Sequence, residues 1–173
     1  ARQKESKPAS TTSAQLNLDI KSVKLSNATV RQTKNLKGGG RDVTEVSNLN
    51  LTLSDLRNGQ SSKLDVSAAL AMDKAATSTT PASSLGAKLA GTFTVELTND
   101  LRPGAVKGSL SLTVEKATGT FADAAALAVK LDAEASPSEV KQLAVRFSRS
   151  AESLGELRVS GPFDATKLEG KLK

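Results

Sequence analysis

The chain alternates. From Leu85 to Leu97 every odd position is apolar or glycine (Leu85, Ala87, Leu89, Gly91, Phe93, Val95, Leu97), and the positions between are mostly polar. A period of two puts one set of side chains on each face of a strand, whereas a helix would scatter the same set around its circumference. The pattern recurs at Leu49, Leu51 and Leu53, at Leu64, Val66, Ala68, Leu70 and Met72, at Val106, Gly108, Leu110, Leu112 and Val114, and at Leu127, Val129 and Leu131. Near the start Leu16, Leu18 and Ile20 are in phase, and Val23 and Leu25 are shifted by one. This slip predicts a β-bulge or strand break at Lys21 and Ser22. Leu157 and Val159, then Phe163, Leu168 and Leu172, predict two short terminal strands interrupted by Gly161-Pro162.

Turn residues separate the runs. Asn58-Gly59 is a candidate type I′ hairpin turn. Gly38–Gly40, residues 77–84, Pro103-Gly104 and Thr118-Gly119 read as further loops or breaks. All five prolines lie outside the clear runs, as expected for a residue that cannot donate to a ladder. Two segments are ambiguous. Ser136, Pro137 and Glu139 resemble a helix start, and Val140, Leu143, Ala144 and Phe147 have helical spacing, but Leu143, Val145 and Phe147 also alternate. The favoured reading is a short turn over 136–141 and then a strand. The Ala-rich 122–128 is helix-capable. Connections this short predict an antiparallel meander of about eight to ten strands with little helix. Residues 1–14 are polar and aperiodic and read as a disordered tail or linker, leaving 15–173 as one domain.

A sheet with one aliphatic face must cover it. It can pack on a second sheet, close into a barrel, or curl into an open groove covered by something other than protein. Pattern alone favours the self-filled solutions. The inward set is nonetheless Leu, Val and Ala with only four Phe and no Trp or Tyr in 173 residues, a smooth lining with few plugs.

Composition narrows the chemistry. With no His and no Cys, the commonest general base, metal ligands and thiolate nucleophile are missing. Gly38–Gly40 followed by Arg41 is not a phosphate-binding loop. The carboxylates Asp55, Asp65, Asp73, Glu96, Asp100, Asp123 and Asp132 have no aromatic platform beside them and read as solvated strand or turn residues. An enzyme, a cofactor and a metal site are not expected. The net charge of +6 is dispersed, and aromatics are scarce, which argues against nucleic acid. The densest basic neighbourhood is Lys24, Arg31, Lys34, Lys37 and Arg41. It could meet anionic headgroups, though solvated loop charge is the favoured reading. No stretch is long and apolar enough to span a bilayer. The first residue is Ala1, as in a processed product or an excised piece of something longer.

Three segments carry a resemblance: LDIKSVKLSNATV at 18–30, VSNLNLTLSDLRNG at 46–59 and LGELRVSGPFDATKLEGKLK at 154–173. Together, from about residue 16 to the end, they resemble the AsmA-like family of bacterial periplasmic proteins, which is similar to the repeating β-groove, bridge-like lipid transfer proteins. The resemblance lies in strand phrasing and includes no catalytic signature. It implies a long antiparallel sheet curled into an open groove, tethered at the inner membrane by a helix and shielding phospholipid acyl chains on their way between membranes. It implies adjacent segments of a longer chain, and other envelope proteins, as partners. The chain departs from the family in lacking the anchor and in being too short to bridge the periplasm. On this reading acyl chains lie along Leu49, Leu51, Leu53, Leu64, Val66, Leu89, Phe93, Val95, Leu110, Leu112, Val114, Leu127, Val129 and Leu131. The rival expectation is a structural or assembly domain whose apolar face is a self-filled sandwich core.

Overall fold

The computed structural model describes residues 17–173 apart from 166, 168 and 172; the expected tail, together with Leu16, Leu168 and Leu172, lies outside the described residues. Nine strands run in sequence order: β1 (Asp19–Asn35), β2 (Arg41–Arg57), β3 (Ser61–Lys74), β4 (Ser83–Leu97), β5 (Pro103–Thr118), β6 (Leu127–Ser136), β7 (Glu139–Arg149), β8 (Glu152–Asp164) and β9 (Glu169–Gly170). Each pairs antiparallel with its neighbours in sequence, giving one meander sheet that is not closed into a barrel. A 3-10 helix, Gly119–Ala124, sits between β5 and β6.

The alternating runs became strands because each residue pair across the ladder shares a face. The register makes that face continuous. One row reads Leu25, Leu51, Val66, Gly91, Leu110, Leu131, Val145, Leu157 from β1 to β8. The next reads Val23, Leu53, Leu64, Phe93, Gly108, Ala133, Leu143, Val159.

Two departures from simple alternation are built in. The register of β1 on β2 shifts between Leu25 and Val30, and that of β2 on β3 between Ser47 and Asn50. Asn27 and Asn48, both in the left-handed region (φ 53° and 51°), absorb the extra residue in each strand. Asparagine tolerates this conformation better than most residues. The Asn50 side chain bridges the two bulges: its Oδ1 accepts from the Asn27 N–H (3.0 Å) and its Nδ2 donates to the Asn48 carbonyl (2.8 Å). The slip predicted at Lys21 and Ser22 is thus not where the register changes. Pairing runs from Ile20–Leu56 to Ser22–Ser54 without a shift.

Other local expectations resolve in the same way. Pro137 and Ser138 form a two-residue connection and β7 starts directly at Glu139, so the apparent helix start is a hairpin turn. At Asn58-Gly59 only Gly59 has a positive φ (65°), the pattern of a type II turn rather than the expected type I′. Gly161-Pro162 does not interrupt β8. Pro162 pairs with Glu139, and its carbonyl accepts from the Lys171 N–H (3.2 Å). Proline is tolerated there because this is the sheet's outermost region.

Glycine is required at two places in the floor of the apolar face. A Cβ on Gly108 would sit 2.3 Å from the Thr92 carbonyl oxygen and 2.5 Å from the Phe93 ring; one on Gly91 would meet Leu110 at 2.6 Å. Phe93 and Leu110 therefore lie over their glycine partners. Gly155, on the same face, has nothing within 4 Å of its Cβ position. Gly108→Ala is expected to destabilise by about 1–3 kcal/mol through forced strand displacement, and Gly155→Ala to be close to neutral. Urea unfolding of both variants checks this, and equal losses would refute it.

Candidate functional site

The candidate site is the apolar face itself. All fourteen residues expected to line a groove fall on it: those from β3 to β5, with Val129 and Leu131 on β6, lie in its cross-strand rows, Leu127 follows Val129 at the next alternate position of β6, opposite Arg149, and Leu49, Leu51 and Leu53 take alternate positions on β2. A further row, Ala68, Leu89, Leu112, Val129 and Phe147, lies beside the two given above. So does one formed by Val30, Val46, Leu70, Ala87 and Val114.

Among the described residues no second layer covers these rows. Beyond neighbouring strands, the only packing of appreciable extent among the described residues is that of the 3-10 helix on β4 and β5. Among the described residues only three apolar side chains are buried, Ala87, Val114 and Ala144. The face is nevertheless sheltered. Along β4 its members Leu85, Leu89, Phe93, Val95 and Leu97 are half-buried, while Lys88, Ala90, Thr92, Thr94 and Glu96 on the other face are exposed. Large side chains shield one another across the rows. The self-filled sandwich core is absent from the described residues.

The rows run across the strands, so their length follows from strand spacing. Eight strands at about 4.8 Å give a row of roughly 34 Å, against about 15 Å for one leaflet of a bilayer's hydrocarbon core.

The opposite face is polar and carries ion pairs both within strands and between neighbouring ones. Asp65 accepts from the Thr92 hydroxyl (2.8 Å) and pairs with Lys63 (2.9 Å). Glu134 pairs with Lys107 (2.9 Å) and Lys141 (3.3 Å). On β6, β7 and β8 a chain of contacts links Lys130 to Asp132, Asp132 to Arg146, Arg146 to Glu156 (2.8 Å) and Glu156 to Arg158 (2.8 Å). Ala144, opposite both Asp132 and Arg158, is fully buried on this polar face. The carboxylates expected to be solvated strand residues divide accordingly. Asp65 and Asp132 are in ion pairs, and no three acidic groups converge among the described residues.

Sequence reasoning missed part of the lining. Val30 and Val46 stand five residues from Leu25 and Leu51, an odd separation that puts them on the polar face under strict alternation. The bulges at Asn27 and Asn48 return them to the apolar one. Leu143, Val145 and Phe147 had the right signal, obscured by their helical spacing. Within the basic neighbourhood Arg31 is held by Glu45, and Lys37 sits in the loop that joins β1 to Arg41 at the start of β2.

No family model matches the chain, and no curated protein or solved structure matches it.

The ion pairs make a pH prediction. Hydrogen bonding from Lys63 and Thr92 holds Asp65 below the usual aspartate range; Lys107 and then Lys141 do the same for Glu134, and Arg158 and then Arg146 for Glu156. A carboxylate depressed in the folded state stabilises above its unfolded value, and that contribution is lost as pH falls through the folded one. Tm should therefore hold from neutral pH to about pH 5 and fall below about pH 4. The gap between the wild-type chain and a Glu134→Gln, Glu156→Gln double variant should close over that lower window. A gap of constant size at every pH would rule this out.

Proposed function

We propose that the chain is a non-catalytic lipid-handling section of an AsmA-like envelope protein. Phospholipid acyl chains lie along its apolar rows during transfer between membranes or assembly of the outer membrane. On this reading it works in the periplasm, joined to adjacent segments of a longer chain and through them to the inner membrane. The observation that carries the proposal is the aliphatic face, eight strands wide, that no other part of the described chain covers. A contiguous apolar surface of this extent on a soluble domain marks a site for another apolar body.

The lining suits hydrocarbon chains better than a shaped ligand. It is made of Leu, Val and Ala, with Gly91 and Gly108 keeping the floor shallow where Leu110 and Phe93 lie across them. No polar side chain breaks the row from Leu25 to Leu157. Polar contacts that would select one headgroup are therefore confined to the strand ends. A buried CH₂ gains about 0.8 kcal/mol. A dozen methylenes covered on one side only would gain on the order of 5 kcal/mol before ordering costs, enough for retention and weak enough for release.

The chain purified gently from bacteria should carry phospholipid adducts in native mass spectrometry. Val95→Asp and Leu112→Asp, which put charge into the rows, should lose them. Thr94→Asp, on the polar face between the same strands, should keep them. Recovery of the wild-type chain at its bare mass alone would end the proposal, as would equal loss from all three variants.

A further inference from the structure

The apolar rows stop short of one strand end, and hydrogen-bond donors replace them there. Beyond the row of Val30, Val46, Leu70 and Ala87, the same face continues with Gln32 opposite Thr44 and Thr44 opposite Met72, then with Lys34 opposite Asp42. Lys74 takes the next alternate position after Met72 on β3. These six residues line a cavity of about 180 Å³, completed by Val43 and Asp73 at the intervening positions of β2 and β3.

The fold leaves the donors of this corner unused. Among the described residues the side chains of Gln32, Lys34 and Thr44 make no hydrogen bond and no ion pair. Lysines of the polar face differ: Lys63, Lys107 and Lys130 are each held by a carboxylate. The Lys74 Nζ lies 4.9 Å from the centre of the Phe121 ring. Such a contact is weak at an exposed site and gives way to a charge-assisted hydrogen bond. Asp42 is already engaged, its Oδ1 accepting from the Ala75 N–H (3.1 Å). Lys34 and Lys74 flank Asp42 on the neighbouring strands, roughly 10 Å apart at the backbone, so their flexible side chains can converge on one anion.

We infer that this corner holds the phosphodiester of a phospholipid whose acyl chains lie on the adjoining rows. Lys34 and Lys74 pair with its two anionic oxygens, and Thr44 and Gln32 donate to the same oxygens. The chains leave past Met72 over Val46 and Leu70. Charge balances on this face, one phosphodiester and Asp42 against two ammonium groups. The inference rests on the lipid reading above and adds where the headgroup lies and why a phosphorylated lipid is kept over a neutral one.

The chain is mixed with detergent micelles carrying equal amounts of dioleoyl phosphatidylglycerol and dioleoylglycerol, which share their acyl chains and differ in the phosphate. Native mass spectrometry should show at least about tenfold more of the phospholipid bound. Lys34→Gln with Lys74→Gln alters two exposed side chains, and circular dichroism should show the sheet intact. That variant should bind the two lipids to within about twofold of each other, with dioleoylglycerol binding unchanged. Lys107→Gln with Lys130→Gln removes the same charge from the polar face and should keep the preference. Glycerol phosphate alone should give no calorimetric binding at concentrations where the phospholipid saturates the chain. Equal retention of both lipids by the wild-type chain overturns this inference and leaves the lipid reading standing, whereas retention of neither overturns both. A preference that survives the loss of Lys34 and Lys74 overturns the inference, as does one abolished equally by the polar-face variant. Glycerol phosphate bound as tightly as the lipid would mean a site for free phosphate esters, which also overturns it.

Discussion

The backbone ladder of a single antiparallel layer is the constraint on which everything else in this molecule depends. Each strand pairs only with its neighbours in sequence, so the inner strands hydrogen-bond on both sides without a second sheet. Most globular domains must also bury an apolar layer to offset chain entropy. Here that burial is partial, and stability has to come from lateral contacts. Cross-strand pairs contribute roughly 0.2–1 kcal/mol each, and strands of ten to seventeen residues from β1 to β8 supply many of them. Unusual strand length follows from the missing second layer.

The polar face determines which side of the layer stays open. Individual exposed ion pairs contribute little, with a median of about 0–1 kcal/mol. Their placement matters more than their strength. From Lys63 and Asp65 on β3 to Arg158 on β8, charges of both signs lie across successive strands, and the side chains over Ala144 leave no apolar surface there. A second sheet docking on this face would have to strip water from all of them. The aliphatic face carries no such penalty, and whatever covers the sheet is directed there.

Much of this was legible in the sequence, and the reason is geometric. A period of two in Leu85–Leu97 or Val106–Val114 has one structural meaning, and short connections leave one topology, so strands, order and shared face could all be read. What resisted reading was the choice between a self-filled core and an open one. Alternation states which residues leave water, but it does not state what replaces the water. The bulges were illegible for a related reason: nothing local distinguishes Asn27 and Asn48 from other strand asparagines until Asn50 is seen bonding to both. Ser136-Pro137 left two readings open because a proline after a serine serves a hairpin turn as well as a helix start, and the favoured turn is what forms, over Pro137 and Ser138 alone.

Face and edge make separate demands, and the geometry keeps them separate. The rows of the apolar face run at right angles to the strands. Each added strand therefore lengthens a row by about 4.8 Å and leaves its width unchanged, while width is set by how many alternate positions a strand contributes. Between Val23 and Val30 on β1, or Leu64 and Leu70 on β3, that number is about four, and it is kept constant across the bulged strands only because both bulges occur at the same level. Had one strand bulged alone, Val30 or Val46 would face the wrong side and the row they share with Leu70 would be broken. The paired asparagines thus preserve a continuous aliphatic surface as far as β1.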